Sequence, residues 1–402
     1  MNKLFMFAGV FCLCVSLFAA DKGMSFENFA DIRSWKAADS APRPVQVDSA
    51  YGKGLLVSQP GSVSRSYKFR AGARKNWQDK FNGLSFKVKG DGSANWGVIT
   101  VGTGAWSYSY FFPVDNRDFR EYRVHFSDFQ VANSSNGKPL NSPGALSVGG
   151  FELLRFGDRW KITHNNQRIA RFTYTVADVR LINDAVPELK IGKYSHPSYK
   201  KQFEALKKGE KFNILCLGDS ITAGTALKQP DSARYAAVLQ KNLRAALKNR
   251  QISVVSKGVG GARLFDTLNW MKRDLSGTPP HLITLMIGYN NKSVAQPPEV
   301  FKQQLLMWVD RVIAHTEGKS AIILIPTLPG QEHRFAMQDD FAQAVREVAK
   351  ERNLLCCPVD QAFKALGRDK ISEYMADFAH PNAAGHRLFA KTLGDFIISQ
   401  VR

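Results

Sequence analysis

The 402-residue chain is 44% hydrophobic and carries a formal charge of +20, from 55 Lys and Arg against 35 Asp and Glu. Residues 21–190 hold 24 basic and 16 acidic side chains, or +8 of that charge, and residues 191–402 hold 30 and 19, or +11. An excess spread over both halves, with no single basic run, argues against a nucleic-acid-binding tail; it fits plain solubility or an acidic partner such as an anionic polysaccharide or cell envelope.

The first stretch, MNKLFMFAGVFCLCVSLFAA, holds one Lys, an apolar run and then Ala19-Ala20. It predicts a secretory signal peptide over residues 1–20, too short for a membrane anchor, and hence a soluble protein, secreted or periplasmic. Retention by an uncleaved helix is the alternative. No other segment is long enough to span a bilayer. Of the five cysteines, Cys12 and Cys14 leave with the leader. Cys216, Cys356 and Cys357 are no disulfide framework and read as small core hydrophobes. The remaining length predicts two domains.

Residues 21–185 read as β. LSFKVKGD (84–91), WGVITVG (96–102), WSYSYFFPV (106–114), EYRVHFSDF (121–129) and RFTYTVADVRL (171–181) alternate apolar and polar residues between Gly, Asn, Asp and Pro. Short strands with regular turn signals predict an all-β jelly roll or β-sandwich. Trp106, Tyr108 and Tyr110 share one face of their strand. That face is either the inner face of the sandwich or an open one that stacks on sugar rings.

Residues 186–210 form a Pro-bearing linker with a basic helical connector, and from 211 to 402 the period changes. NILCL, ISVVS, LITLMIG, AIILIP and LLCCPV alternate with helical stretches such as 233–249 and 299–315. Continuous apolar runs, each followed by a helix, predict an α/β domain with a parallel sheet covered on both faces. Reactive groups then gather at the carboxyl ends of the strands.

At those ends lie Gly218-Asp219-Ser220, the glycines Gly258, Gly260 and Gly261, then Gly288-Tyr289-Asn290-Asn291 and, near the C-terminus, DFAHPNAAGH. Ser220 is either a helix cap or a nucleophile. Asp377, three residues before His380, can orient an imidazole whose other nitrogen serves Ser220. His386 is the rival base. The backbone N–H groups of Ser220 and Gly261 and the Asn290 amide are the candidate donors to an oxyanion.

Two resemblances follow from these motifs. Residues 25–185, through FNGLSFKVKGDGSANW, YFFPVDNRDFREYRVHFSDF and YTVADVRLIND, resemble the galactose-binding-like jelly rolls attached to carbohydrate-active enzymes. The C-terminal half is similar to the SGNH hydrolases, the GDSL-type esterase superfamily: G-D-S at 218–220, a Gly block at 256–261, G-x-N at 288–290 and D-x-x-H-P-N at 377–382. The resemblance implies a three-layer, flavodoxin-like domain with Ser220, Asp377 and His380 as catalytic triad and Ser220, Gly261 and Asn290 as oxyanion hole. Two positions depart from the family pattern: Ser256 stands where Asn is usual and Asn291 where Asp is usual.

For the first half, the resemblance implies sugar binding, with Trp106, Tyr108 and Tyr110 as candidate contacts and Glu27 and Asp178 as candidate ligands of a structural calcium. No metal or other cofactor is needed for the chemistry. The expected protein is a monomeric, exported carbohydrate acetylesterase acting on an acetylated, acidic or neutral polysaccharide. The alternatives are a lipid or aryl esterase of the same fold, and a glycan-binding protein with a decayed esterase half.

Overall fold

The computed structural model describes residues 23–38, 42–68, 80–103, 106–134, 146, 151–158 and 171–401. The expected signal peptide, 1–20, lies outside the described residues. Among them, no helix is long and apolar enough to cross a membrane.

The first half is two antiparallel sheets. The strands are β1 (Met24–Glu27), β2 (Lys36–Ala37), β3 (Val45–Ser49), β4 (Gly52–Gln59), β5 (Gly61–Ser66), β6 (Gly83–Gly90), β7 (Trp96–Thr103), β8 (Trp106–Pro113), β9 (Arg120–His125), β10 (Gln130–Ser134), β11 (Leu153–Asp158) and β12 (Phe172–Ile182). One sheet runs β3-β4-β12-β6-β9 with β1 beside β12, and the other β10-β8-β7-β11-β5-β2. Alternate residues of both sheets, Phe86, Val88, Ile99, Val101, Phe112, Tyr174 and Val176 among them, meet in one core. Period-2 alternation produces this directly, since every second side chain faces the other sheet. The run expected as one strand over 121–129 ends early, because Phe126–Asp128 turn into a 3-10 helix held by the His125 ring.

The second half is a five-stranded parallel sheet, β13 (Phe212–Gly218), β14 (Ile252–Gly258), β15 (Leu282–Met286), β16 (Ala321–Ile325) and β17 (Leu355–Cys356), in the order β14-β13-β15-β16-β17. Successive residues alternate between two cores. Leu215, Leu217, Ile283, Leu285, Ile322 and Leu324 face the helices Leu264–Asp274, Pro298–His315 and Asp339–Glu351. Ile214, Cys216, Leu282, Met286, Ile323 and Ile325 face Tyr235–Ala246 and Ala383–Ser399. Burial on both faces explains why these strands read as unbroken apolar runs. The strand order reverses at β13, so the crevice between its two crossovers opens at its carboxyl end. Ser220 follows there.

The connector 186–212 does more than link. β17 is only two residues long, shorter than LLCCPV suggested, and pairs with Ile323 and Leu324 alone. The backbone of Ile322 is completed instead by side chains of the connector: its N–H donates to His196 Nε2 at 3.0 Å, and its carbonyl accepts from Tyr199 Oη. Tyr199 Oη also accepts the Leu355 N–H at 2.9 Å. Two side chains thus stand in for a strand and satisfy buried backbone groups that would otherwise cost about 1–3 kcal/mol each.

The two halves share a packed interface. Val98 and Phe111 of the sandwich join the core beneath helix Leu264–Asp274. Beside them the Lys272 ammonium meets Glu188 at 2.7 Å and Tyr110 Oη, and Asp128 accepts the Glu188 N–H at 2.9 Å.

Two expectations for the first half change here. Tyr108 and Tyr110 are only 6% and 3% exposed. Their rings fill the sandwich core and its border with the second half, so they are not an open sugar platform; large aromatics gain more from burial than from an exposed strand face. The Trp106 side chain lies outside the described residues. Glu27 is buried and spends its carboxylate on Arg65 Nη1 (2.8 Å), Tyr67 Oη (2.6 Å) and the Phe29 N–H (2.6 Å). Asp178 meets Lys87 Nζ at 3.0 Å. Each candidate calcium ligand is therefore paired with a cationic side chain, and among the described residues no three His, Cys, Asp or Glu cluster as a metal site would need. Cys216, Cys356 and Cys357 are free thiols, with Cys216 and Cys357 buried.

Candidate active site

The chain leaves β13 at Gly218 and turns into the short helix Ser220–Ala223. The cap of that helix is Asp219, whose carboxylate accepts the Ile221 N–H at 3.0 Å. Ser220 is the first helical residue, so its hydroxyl is not consumed by capping. It donates instead to His380 Nε2, 2.9 Å away. His380 Nδ1 lies 2.8 and 3.0 Å from the two oxygens of Asp377.

The spacing D-x-x-H works through the backbone. Asp377 Oδ1 accepts the N–H groups of Ala379 and His380, both at 2.8 Å, which wraps the chain around the carboxylate and sets the ring beside it. Partial burial raises the Asp377 carboxyl, but those two N–H groups and the imidazole outweigh it and hold the group below the usual carboxylate range. It therefore stays ionised and fixes the His380 tautomer with Nε2 free to accept.

His386 is elsewhere. It is fully buried on helix Ala383–Ser399, its Nδ1 accepts the Tyr235 N–H at 3.1 Å, and its ring stacks on Tyr235. Burial pushes its pKa down to about 4, which keeps it neutral and structural.

Asp219 has the strongest electrostatic tension in the site. It is wholly buried, Oδ2 has no hydrogen-bond partner, and burial pushes its pKa up to about 7 against the pull of the Ile221 N–H and of His380.

Two further loops close on Ser220. Gly258 ends β14 directly under the helix Ser220–Ala223: a Cβ there would stand 2.3 Å from the Ala223 nitrogen, so only glycine lets the two backbones meet. Ser256, which replaces the usual Asn, donates its hydroxyl to the Thr222 carbonyl at 2.8 Å and ties β14 to the same helix. Gly261 has φ of +76° and open space where a Cβ would stand, so no side chain obstructs the approach to its backbone.

Asn290, on helix Tyr289–Ser293, gives one Nδ2 hydrogen to the Ala262 carbonyl at 2.9 Å, leaving the other available. Its neighbour Asn291 makes the reciprocal tie, accepting the Leu264 N–H at 3.1 Å. These two bonds lock the loop bearing Gly261 to the helix bearing Asn290. Asn291 is in turn held by Gln296 Oε1, and Gln296 Nε2 donates to Gln304 Oε1 at 3.0 Å. All three amides are buried. Because the Leu264 N–H can only donate, it fixes which way each amide in the chain points. This neutral amide chain replaces the acid usual at position 291.

The arrangement presents a hydroxyl in contact with an imidazole, an ionised carboxylate behind that ring, and N–H donors on two cross-tied loops. Gln296 and Gln304 were not marked by the sequence, since they come from a loop and a helix face with no motif.

Comparison with known proteins agrees in extent. Residues 216–388 match the model of the GDSL-like lipase/acylhydrolase family. An acetylxylan esterase of Geobacillus stearothermophilus is 25% identical over 206 residues, spanning 46% of this chain and 94% of its own. Among solved structures, an α/β hydrolase, LAE5, from the metagenome of Lake Arreo in Spain superposes with a TM-score of 0.42 at 22% identity, over 48% of this chain and 96% of its own. A crystal structure of the Geobacillus stearothermophilus acetylxylan esterase superposes with a TM-score of 0.40 at 23% identity, over 46% and 94%. The family match lies in the second half.

Proposed function

Taking the C-terminal part of the chain as a GDSL-like lipase/acylhydrolase domain, we propose that the protein is an exported serine esterase that removes O-acetyl groups from a polysaccharide. The observation that carries the reading is the chain of contacts Ser220–His380–Asp377.

His380 Nε2 takes the Ser220 proton as Oγ attacks the acetyl carbonyl, and Asp377 stabilises the imidazolium that forms. The Ser220 and Gly261 N–H groups and the free Asn290 Nδ2 hydrogen receive the developing oxyanion. Collapse of the tetrahedral species breaks the ester C–O bond, and His380 returns the proton to the departing sugar oxygen. Water, activated by the same imidazole, then cleaves the acetyl–Ser220 ester to acetate. A polysaccharide substrate is supported by the likeness to acetylxylan esterase and by the strongly basic chain.

The test is acetate release from acetylated xylan, pectin, mannan and peptidoglycan, beside 4-nitrophenyl esters of increasing acyl length. Ser220→Ala should abolish turnover on every substrate that the wild type cleaves while leaving thermal unfolding nearly unchanged. Retention of more than a small fraction of activity would sink the assignment. A preference for long acyl chains with no acetate from any glycan would point to a lipid or aryl esterase.

A further inference from the structure

Beside the Asp377–His380 loop lies a cation that, among the described residues, has no acidic partner. Residues 330–334 fold into a tight turn, closed by the Gly330 N–H on the Arg334 carbonyl and the Arg334 N–H on the Gln331 carbonyl. The turn is docked on the Asp377–His380 loop, because the Gln331 N–H donates to the Phe378 carbonyl at 3.1 Å. Gly330 permits this approach: a Cβ would stand 2.6 Å from the Phe378 oxygen and 2.8 Å from Arg334 Cβ.

The Arg334 guanidinium consequently lies flat on Phe378, its carbon 3.8 Å from the ring centroid. Its remaining contacts are long: Nη1 is 3.5 Å from Tyr289 Oη, and Nε is 3.4 Å from His333 Nε2. Among the described residues Arg334 forms no ion pair. The nearest acid along the docked loop, Asp377, is already bound to His380 and two backbone N–H groups.

Phe378, 50% exposed, is the one large aromatic of the Asp377–His380 loop and stands two residues before His380. The Arg334–Phe378 pair is therefore joined to the loop that carries His380, through the Phe378 ring and the Phe378 carbonyl. A guanidinium stacked on a ring keeps its N–H edge free and already ordered, which suits bidentate capture of a carboxylate. The free part of the Phe378 ring offers an apolar surface for the C–H face of a pyranose. One ligand carries both features: a sugar with a carboxylate.

We propose that Arg334, braced on Phe378, binds the carboxylate of a uronic acid residue at or beside the acetylated position, which makes acidic glycans the preferred substrates. The proposal rests on the polysaccharide esterase reading above and names the substrate class for that site. The overall positive charge adds long-range attraction for a polyanion but no selectivity of its own between sites.

The experiment compares acetate release from O-acetylated oligogalacturonides and from the same oligomers with their carboxylates methyl-esterified, for the wild type, Arg334→Gln and Arg334→Lys. The quantity read is the ratio of kcat/KM on the acidic and the neutralised substrate. The wild type should favour the acidic oligomer by about 10- to 100-fold, the span of a charge-assisted hydrogen bond to a carboxylate. Arg334→Gln should bring the ratio to within about twofold of unity, and Arg334→Lys, which keeps the charge and loses the fork, should fall between. Thermal unfolding of each variant identifies any that is misfolded, and the ratio, measured on one preparation, is independent of the folded fraction. A wild-type ratio near unity with good turnover of both oligomers would overturn this inference and leave the polysaccharide reading standing. An unchanged ratio in Arg334→Gln would do the same. No acetate from these or any other glycan would overturn both.

Discussion

Asp219 allows the electrostatics of the site to be tested through folding as well as through activity. It is wholly buried beside the nucleophile, and burial raises its pKa from 3.8 to about 7. The unfolded chain therefore releases this proton at lower pH than the folded one. Stability from this group is fully present below pH 3.8, falls as pH rises from there to about 7, and is constant above. A difference of about three pKa units corresponds to roughly 4 kcal/mol lost by pH 8. Asp219→Asn keeps the acceptor for the Ile221 N–H and cannot ionise, so it should escape that loss. Thermal unfolding of wild type and variant should coincide near pH 4 and diverge above it, with the variant higher by on the order of 10 °C at pH 8, at about 2–4 °C per kcal/mol. The stabilised variant should turn over 4-nitrophenyl acetate more slowly at pH 8, because the ionised Asp219 favours the imidazolium of His380, and the gap should close below about pH 6. A variant less stable than the wild type at pH 8, or a stability difference that does not change between pH 4 and 8, would refute the reasoning.

Two other perturbations separate structure from chemistry. His380→Ala should remove turnover with little loss of stability, whereas His386→Ala should leave kcat nearly intact and cost about 2 kcal/mol or more in unfolding, because it empties a buried, stacked position; the reverse pattern in paired kinetics and denaturation would exchange their roles. Gln296→Leu strands the Asn291 and Gln304 amides and should cost about 2–4 kcal/mol. It should also lower kcat more than it raises KM, since the Gly261 and Asn290 loops lose their shared anchor, and a pure KM effect in steady-state kinetics would count against a positioning role.

What the sequence made legible is what depends on neighbours along the chain. Strands β6, β7, β8 and β12 were visible because alternation is a local signal. Asp377 and His380 meet through a turn only three residues long, and Ser220 follows an apolar strand whose end must face the crevice. Period 2 cannot say which face of a strand is covered, so the Tyr108 and Tyr110 rings were open to two readings until their burial was known. The brevity of β17 was hidden for a different reason. LLCCPV has the composition of a central strand, but His196 and Tyr199, about 125 residues from Ile322, take the backbone positions that a longer strand would fill.

Arg334 and the amide chain were invisible because their meaning is purely tertiary. Arg334 sits in QEHRFAM, a stretch with no motif, and acquires a role only when the Gly330 turn docks on the Phe378 carbonyl. Asn291 was visible as a departure from the family pattern, yet its consequence depended on Gln296 and Gln304 arriving with their amides aligned. An acid at position 291 would accept from both Leu264 and Gln296 but would bury a negative charge beside the two oxyanion donors. A neutral amide gives the same tie to Leu264 without repelling the charge that develops there. The turn at Gly330 shows the complementary choice: Arg334 places a positive charge on Phe378, where the proposal has it bind a substrate carboxylate. In this chain the two unusual features sort charge by location, neutral behind the Gly261 and Asn290 loops and cationic on the turn docked at Phe378.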